Sequence, residues 1–173
     1  AVPVVLAAVA LRSPRAMILT NGALGTLDPA TLAVCRAAQL PGFARTTLQP
    51  ELWNRWLASS AGLRRTVVNP YVMDRDTVVA LTRPYLATLD HRRAVGRFFA
   101  QLPDGIAEPA TLSCKTLLLW GDEDPLYPAH IADTARQWLA DASVRMIPGG
   151  QHHHPIERPW AMADEIADWW SQQ

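Results

Sequence analysis

Two short segments in the last third of the chain bring together residue types that move protons. The first, Trp120-Gly121-Asp122-Glu123-Asp124-Pro125, holds three consecutive acids between a glycine and a proline. The second, Ile147-Pro148-Gly149-Gly150-Gln151-His152-His153-His154, delivers three consecutive histidines from a glycine-rich turn. Histidine changes charge near neutral pH, so an imidazole fixed on a tight turn suits a general base. A carboxylate set against it would hold the productive tautomer and stabilise the imidazolium that forms. Acid first and histidine second is the tail of a nucleophile–acid–base triad. A plainer reading also exists, because Gly, Asp and Pro build polar turns with no chemistry attached.

Three histidines in a row also invite a metal ion. Adjacent side chains in extended backbone point to opposite sides, however, and no Cys or carboxylate stands at familiar zinc spacing. No metal is expected, and no organic cofactor, because a triad supplies its own proton chemistry. His91 and His130 read as histidines on helix surfaces. Cys35 and Cys114 lie in helical or apolar context and read as buried thiols, since two cysteines make no disulfide framework.

Both segments sit where a fold would place working residues. Thr116-Leu117-Leu118-Leu119-Trp120 leads into the acids, and Val144-Arg145-Met146-Ile147 leads into the histidines. A third run, Ala16-Met17-Ile18-Leu19-Thr20, is closed by Asn21-Gly22. Runs without polar alternation suit strands covered on both faces, as in a parallel sheet. In such sheets ligands gather at the C-terminal ends of the strands. Ile131, Ala135, Trp138 and Leu139 mark one helix face, as do Met162, Ile166, Trp169 and Trp170 after Pro159. Alternating strand and helix gives an α/β fold with a parallel sheet.

The long stretch between the first and second strands reads as helical. Asp28-Pro29 opens a helix through Leu32, Cys35 and Leu40 that Pro41-Gly42 stops. Further helical pieces fall near 50–60, 75–82 and 90–101, broken by Pro50, Pro70, Pro84 and Pro103. The expected organisation is a core helix and strand over 1–25, a helical insertion over 26–111, and an α/β core over 112–173. Residues 1 to 13 read as a buried helix. Insertions of that size in a compact fold usually cover a site.

Composition narrows the function. The 173 residues carry 16 Lys+Arg and 16 Asp+Glu, 49% are hydrophobic and 18% are charged. Lys115 is the only lysine. Zero net charge excludes the basic footprint of a nucleic-acid binder. No run of about 20 apolar residues is present to span a membrane. Without a basic start and a cleavage site the opening stretch is no signal peptide, so the cytoplasm is the expected compartment.

Taken together, the chain resembles the C-terminal half of an α/β-hydrolase with a helical cap. WGDEDPLYP resembles that family's strand-then-acid segment, where the last Asp before Pro is the acid. The resemblance therefore assigns the acid to Asp124 ahead of Asp122. IPGGQHHHPIERPW resembles the family's histidine loop, whose His stands seven residues before the proline of an Arg-Pro pair. Pro159 is seven residues after His152, which selects His152 over His153 and His154. Gln151 stands where the family usually has glycine. PYLATLDHRRAVGRFF is similar to the cap of the haloalkane dehalogenase and epoxide hydrolase branch.

The resemblance also exposes a gap. These enzymes carry the nucleophile on a strand-to-helix turn, commonly G-x-S-x-G, and no such motif exists in this sequence. Ala58-Ser59-Ser60-Ala61-Gly62 has no strand before it, and Ser113 precedes a strand at the wrong end of the sheet. AVPVVLAAVALRSPRAMILTNGAL resembles the segment just past the nucleophile. The resemblance thus implies a nucleophile, Ser or Asp, supplied by the N-terminal half of the same hydrolase as a separate chain. Without it the chain would also lack an oxyanion donor, a loss of about 3 kcal/mol each. The expected function is hydrolysis of a small, mainly apolar substrate at an ester, C–halogen, epoxide or C–C bond. Asp124 and His152 would be catalytic, and Trp53, Trp56, Tyr71, Tyr85 and Phe98 would line an apolar pocket. The alternatives are a non-catalytic relative or fragment that binds a partner, and an independent binding module of mixed helical and α/β build.

Overall fold

The computed structural model describes residues 14–22, 27–105, 114–136 and 139–172. The expected helix over 1–13, Ser113 and Trp138 lie outside them. The chain divides into two compact units, Leu27–Gly105 and the combination of Ala1–Thr26 with Ile106–Gln173.

The second of these is built on a parallel sheet of three described strands, β1 (Ala16–Thr20), β2 (Lys115–Gly121) and β3 (Ala142–Ile147), in the order β1-β2-β3. Ala16 pairs with Lys115, and Thr116 pairs with Ala142. The all-apolar run of β2 follows from its central place. Leu118 and Trp120 turn to one face and join Met17, Leu19, Ala132, Ala135 and Leu139. Leu117 and Leu119 turn to the other and join Ile147 and Trp169. Every one of these β2 side chains is fully buried, each contributing about 1.5–3 kcal/mol of transfer free energy. A polar residue at any of them would face a hydrophobic layer.

Two described helices flank this sheet. Helix α6 (His130–Ala135) follows β2, and α8 (Pro159–Ser171) ends the chain after a single turn, α7 (His154–Glu157). Pro159 begins α8 as expected, where its missing N–H costs nothing. Helix α6 is shorter than the spacing of Ile131, Ala135 and Leu139 suggests. It ends at Ala135, and Leu139 reaches the core from the bridge that precedes β3. Apolar spacing reports burial, and Leu139 is buried without being helical.

Residues 27–105 form helices α1 (Pro29–Ala38), α2 (Phe43–Thr46), α3 (Pro50–Leu57), α4 (Arg75–Leu86) and α5 (Leu89–Gly105), with 3₁₀ turns at Leu63–Thr66 and Pro70–Met73. The Asp28 carboxylate caps α1, accepting from the backbone of Ala30 and Thr31 at 3.0 and 3.2 Å. Helix α1 stops at Ala38, so Leu40 lies beyond it and is 65% exposed. Pro50 and Pro70 start their elements, whereas Pro84 and Pro103 lie inside α4 and α5 rather than breaking them. A proline forfeits one hydrogen bond with the preceding turn. Pro84 stands two residues from the end of α4, and burial of Leu86 against Phe43 and Leu48 carries the helix through it. Cys35 and Cys114 are buried free thiols. Among the described residues no helix is long and apolar enough to cross a membrane.

Candidate active site

The ends of β2 and β3 are drawn together by their backbones before any side chain acts. A Cβ on Gly121 would run into the Gly150 carbonyl, so the last residue of β2 must be glycine. Gly149 has a φ of 62°, the left-handed conformation that lets the chain turn sharply after β3. The Glu123 amide then donates to the Gly150 carbonyl at 3.0 Å. Acid turn and histidine turn are thereby fixed against each other.

Asp124 and His152 meet at this junction. His152 Nδ1 lies 3.0 Å from Asp124 Oδ2. The Asp124 side chain is fully buried, while that of His152 keeps 19% of its surface. The carboxylate is thus sealed from solvent while the imidazole stays reachable. With its Nδ1 proton donated to the carboxylate, Nε2 is left as the basic nitrogen. Asp122, two residues earlier, is exposed and has no part in the contact.

Four donors converge on the buried carboxylate. Oδ1 accepts from the amides of Leu126 and Tyr127 at 2.7 and 3.1 Å. Oδ2 accepts from the Asn21 side chain at 2.5 Å as well as from His152. Burial pushes the Asp124 pKa up. The hydrogen bond and charge of His152, with the two backbone amides, outweigh it and hold the carboxyl below its ordinary value. The carboxyl is therefore ionised at neutral pH.

Asn21 is the residue that sequence reasoning left as a mere turn. Its Oδ1 accepts from the Gly121 amide at 2.9 Å, which fixes the direction of the side-chain amide. Its Nδ2 donates to Asp124 and, at 3.3 Å, to the Gln151 carbonyl. One side chain after β1 therefore ties together the ends of all three strands. Only its position at the C-terminal end of an apolar run signalled this.

The three histidines go separate ways. His153 sets its ring edge-on to His152, with centroids 4.9 Å apart. His154 is fully buried, and its Nδ1 donates to the Gln151 carbonyl at 3.0 Å. Burial, the largest influence, holds its pKa below the ordinary value even though that hydrogen bond works the other way. His154 is thus a neutral imidazole that pins the turn carrying His152. The described residues hold no cluster of three or more metal-ligating side chains. Tyr127 also packs against His152, with ring centroids 5.5 Å apart. His91 and His130 are exposed on their helices.

The five aromatics expected around a pocket all lie in the helical unit. Trp53 packs on that unit's core and meets Trp56, ring to ring at 5.1 Å. Tyr71 and Tyr85 are exposed, and Phe98 pairs edge-on with Phe99.

No protein-family profile matches the sequence, and no curated protein does. Solved structures match it closely in shape. A loop variant of a haloalkane dehalogenase from Bradyrhizobium elkanii superposes with a TM-score of 0.69 at 16% identity, over 99% of this chain and 64% of that one. The epoxide hydrolase CorEH gives 0.71 at 11% identity, covering 98% and 64%. A thermophilic esterase from Thermogutta terrifontis, with malate bound, gives 0.61 at 20% identity, covering 98% and 61%. At such identities the likeness is one of fold. The chain has the fold of the C-terminal part of an α/β-hydrolase and spans less than two thirds of the length of these neighbours.

Proposed function

We propose that this chain is the acid- and histidine-bearing part of a hydrolase, acting on a small, mainly apolar substrate. The observation that carries the reading is the Asp124–His152 pair, a sealed ionised carboxylate oriented on a reachable imidazole at the C-terminal end of a parallel sheet. The fold it shares with a dehalogenase, an epoxide hydrolase and an esterase supports the same chemistry.

In this reading the nucleophile, Ser or Asp, comes from the N-terminal half of the hydrolase, which these 173 residues do not contain. His152 Nε2 takes a proton in either case. Against a Ser nucleophile it deprotonates the hydroxyl and then a water; against an Asp nucleophile it activates only the water that cleaves the covalent ester. Asp124 stabilises the imidazolium and remains ionised throughout. This chain alone is nearly inert.

The test pairs an activity panel with intact mass under denaturing conditions. The panel holds a short p-nitrophenyl ester, a chloroalkane and an epoxide. Turnover is expected only in material that also contains a nucleophile-bearing polypeptide, and His152→Ala removes it without unfolding the protein. Turnover by the 173-residue chain alone, or turnover that survives His152→Ala, would sink the reading. The same fold would then be serving as a partner-binding module.

A further inference from the structure

The helical unit holds a second concentration of charge, far in sequence from Asp124 and His152. The end of α1, helix α2 and the first half of α5 border a cavity of about 330 Å³, within the size range of small-molecule sites. Arg45, Arg93 and Arg97 line it, together with the apolar Leu40 and Phe43. Among the described residues no carboxylate pairs with Arg45 or Arg97. Arg93 meets Asp90 at 2.9 Å, with the two side chains 50% and 86% exposed. An ion pair that open contributes little and yields to a competing anion.

Left to itself, the arrangement is electrostatically unfavourable. Arg93 and Arg97 stand four residues apart on one helix, where like charges face each other and repel. The unit as a whole carries ten arginines, no lysine and six carboxylates. Guanidinium presents a rigid fork of donors that matches the two oxygens of a carboxylate or phosphate, which an ammonium does not. The apolar wall beside the three forks suits a short hydrocarbon body.

From these observations we infer that the cavity between α2 and α5 is a binding site for a small organic oxyanion, its carboxylate or phosphate head held by Arg45, Arg93 and Arg97. The site stands independently of the hydrolytic reading. It is tested by ¹⁵N–¹H NMR titration of the full chain with inorganic phosphate and, separately, with hexanoate. Saturable shifts are expected at the amides of residues 40–45 and 89–97, and whichever anion saturates identifies the headgroup. Arg45→Met combined with Arg97→Met weakens that binding about tenfold or more, while peaks elsewhere keep their positions. If the double variant loses its fold, Arg97→Met alone provides the comparison. Failure of both anions to saturate, binding unchanged in the variant, or equal shifts with uncharged hexanol would overturn the assignment.

Discussion

The two units of this molecule treat charge in opposite ways. The sheet unit is acidic, with ten carboxylates against six basic residues, and the helical unit reverses those counts with ten arginines against six acids. A net charge of zero for the chain conceals both. In the sheet unit the decisive charge, Asp124, is sealed and satisfied by four donors. In the helical unit the ion pairs Arg75–Glu51 and Arg93–Asp90 lie open to water. Buried charge has a fixed geometry and can orient a base, whereas exposed charge is adjustable and can exchange partners. The two proposals made above follow that division, catalysis for the first kind of site and anion capture for the second.

That contrast is sharpest at Asp124 and His152. In the assembled hydrolase, Asp124→Asn should cut turnover by about four orders of magnitude, since the orienting charge is lost while the shape remains. Steady-state kinetics on the ester of the panel would show it, and a loss below tenfold would mean that Asp124 does not orient the base. Next comes Asn21→Ala, which leaves the Gly121 amide and part of the Asp124 carboxylate without partners in a buried place. A loss of about 1–3 kcal/mol is expected, read from urea denaturation, with little change if Asn21 is only a turn residue.

A pH effect of intermediate size separates the units further. The folded pKa of His154 lies below its unfolded value of 6.5. Between the two values the unfolded chain binds a proton that the folded chain does not, so stability rises with pH through that window. It is fully present above about 6.5 and drains away as the pH falls below it. Urea midpoints measured downward from pH 7.5 should therefore decline, and His154→Gln should flatten the decline. Asp124 adds to this at lower pH: its stabilisation is present above the unfolded carboxyl value and is lost as the pH falls through the depressed folded one. The smallest effect is expected in the helical unit, where Glu51→Ala removes the exposed partner of Arg75. Its cost should stay under about 0.5 kcal/mol, and a larger loss would blur the division between the units.

How legible all this was in the sequence depends on the range of the interaction. The strands were legible because Leu117 to Trp120 are buried on both faces, and burial writes itself into consecutive residues. Asp124 and His152 were singled out among their neighbours only by the family resemblance, through the acid before Pro125 and the interval to Pro159, and their 3.0 Å contact is what the structure adds. Asn21 was not, because its partners at 121, 124 and 151 lie at least a hundred positions away. Pro84 and Pro103 misled for the converse reason. A local rule breaks a helix there, and packing that no local rule contains keeps it whole.

One feature of the sheet bears on how such a molecule changes over time. Strands β1 and β2 are nearest neighbours, Ala16 beside Lys115, yet the whole helical unit is threaded between them. The entropy of closing such a detour grows only logarithmically, by about 0.6 kcal/mol for each doubling of its length. The helical unit can therefore be lengthened, trimmed or exchanged like a cartridge without disturbing the strand register. Under the function proposed above, Asp124 and His152 would keep their geometry through such a change.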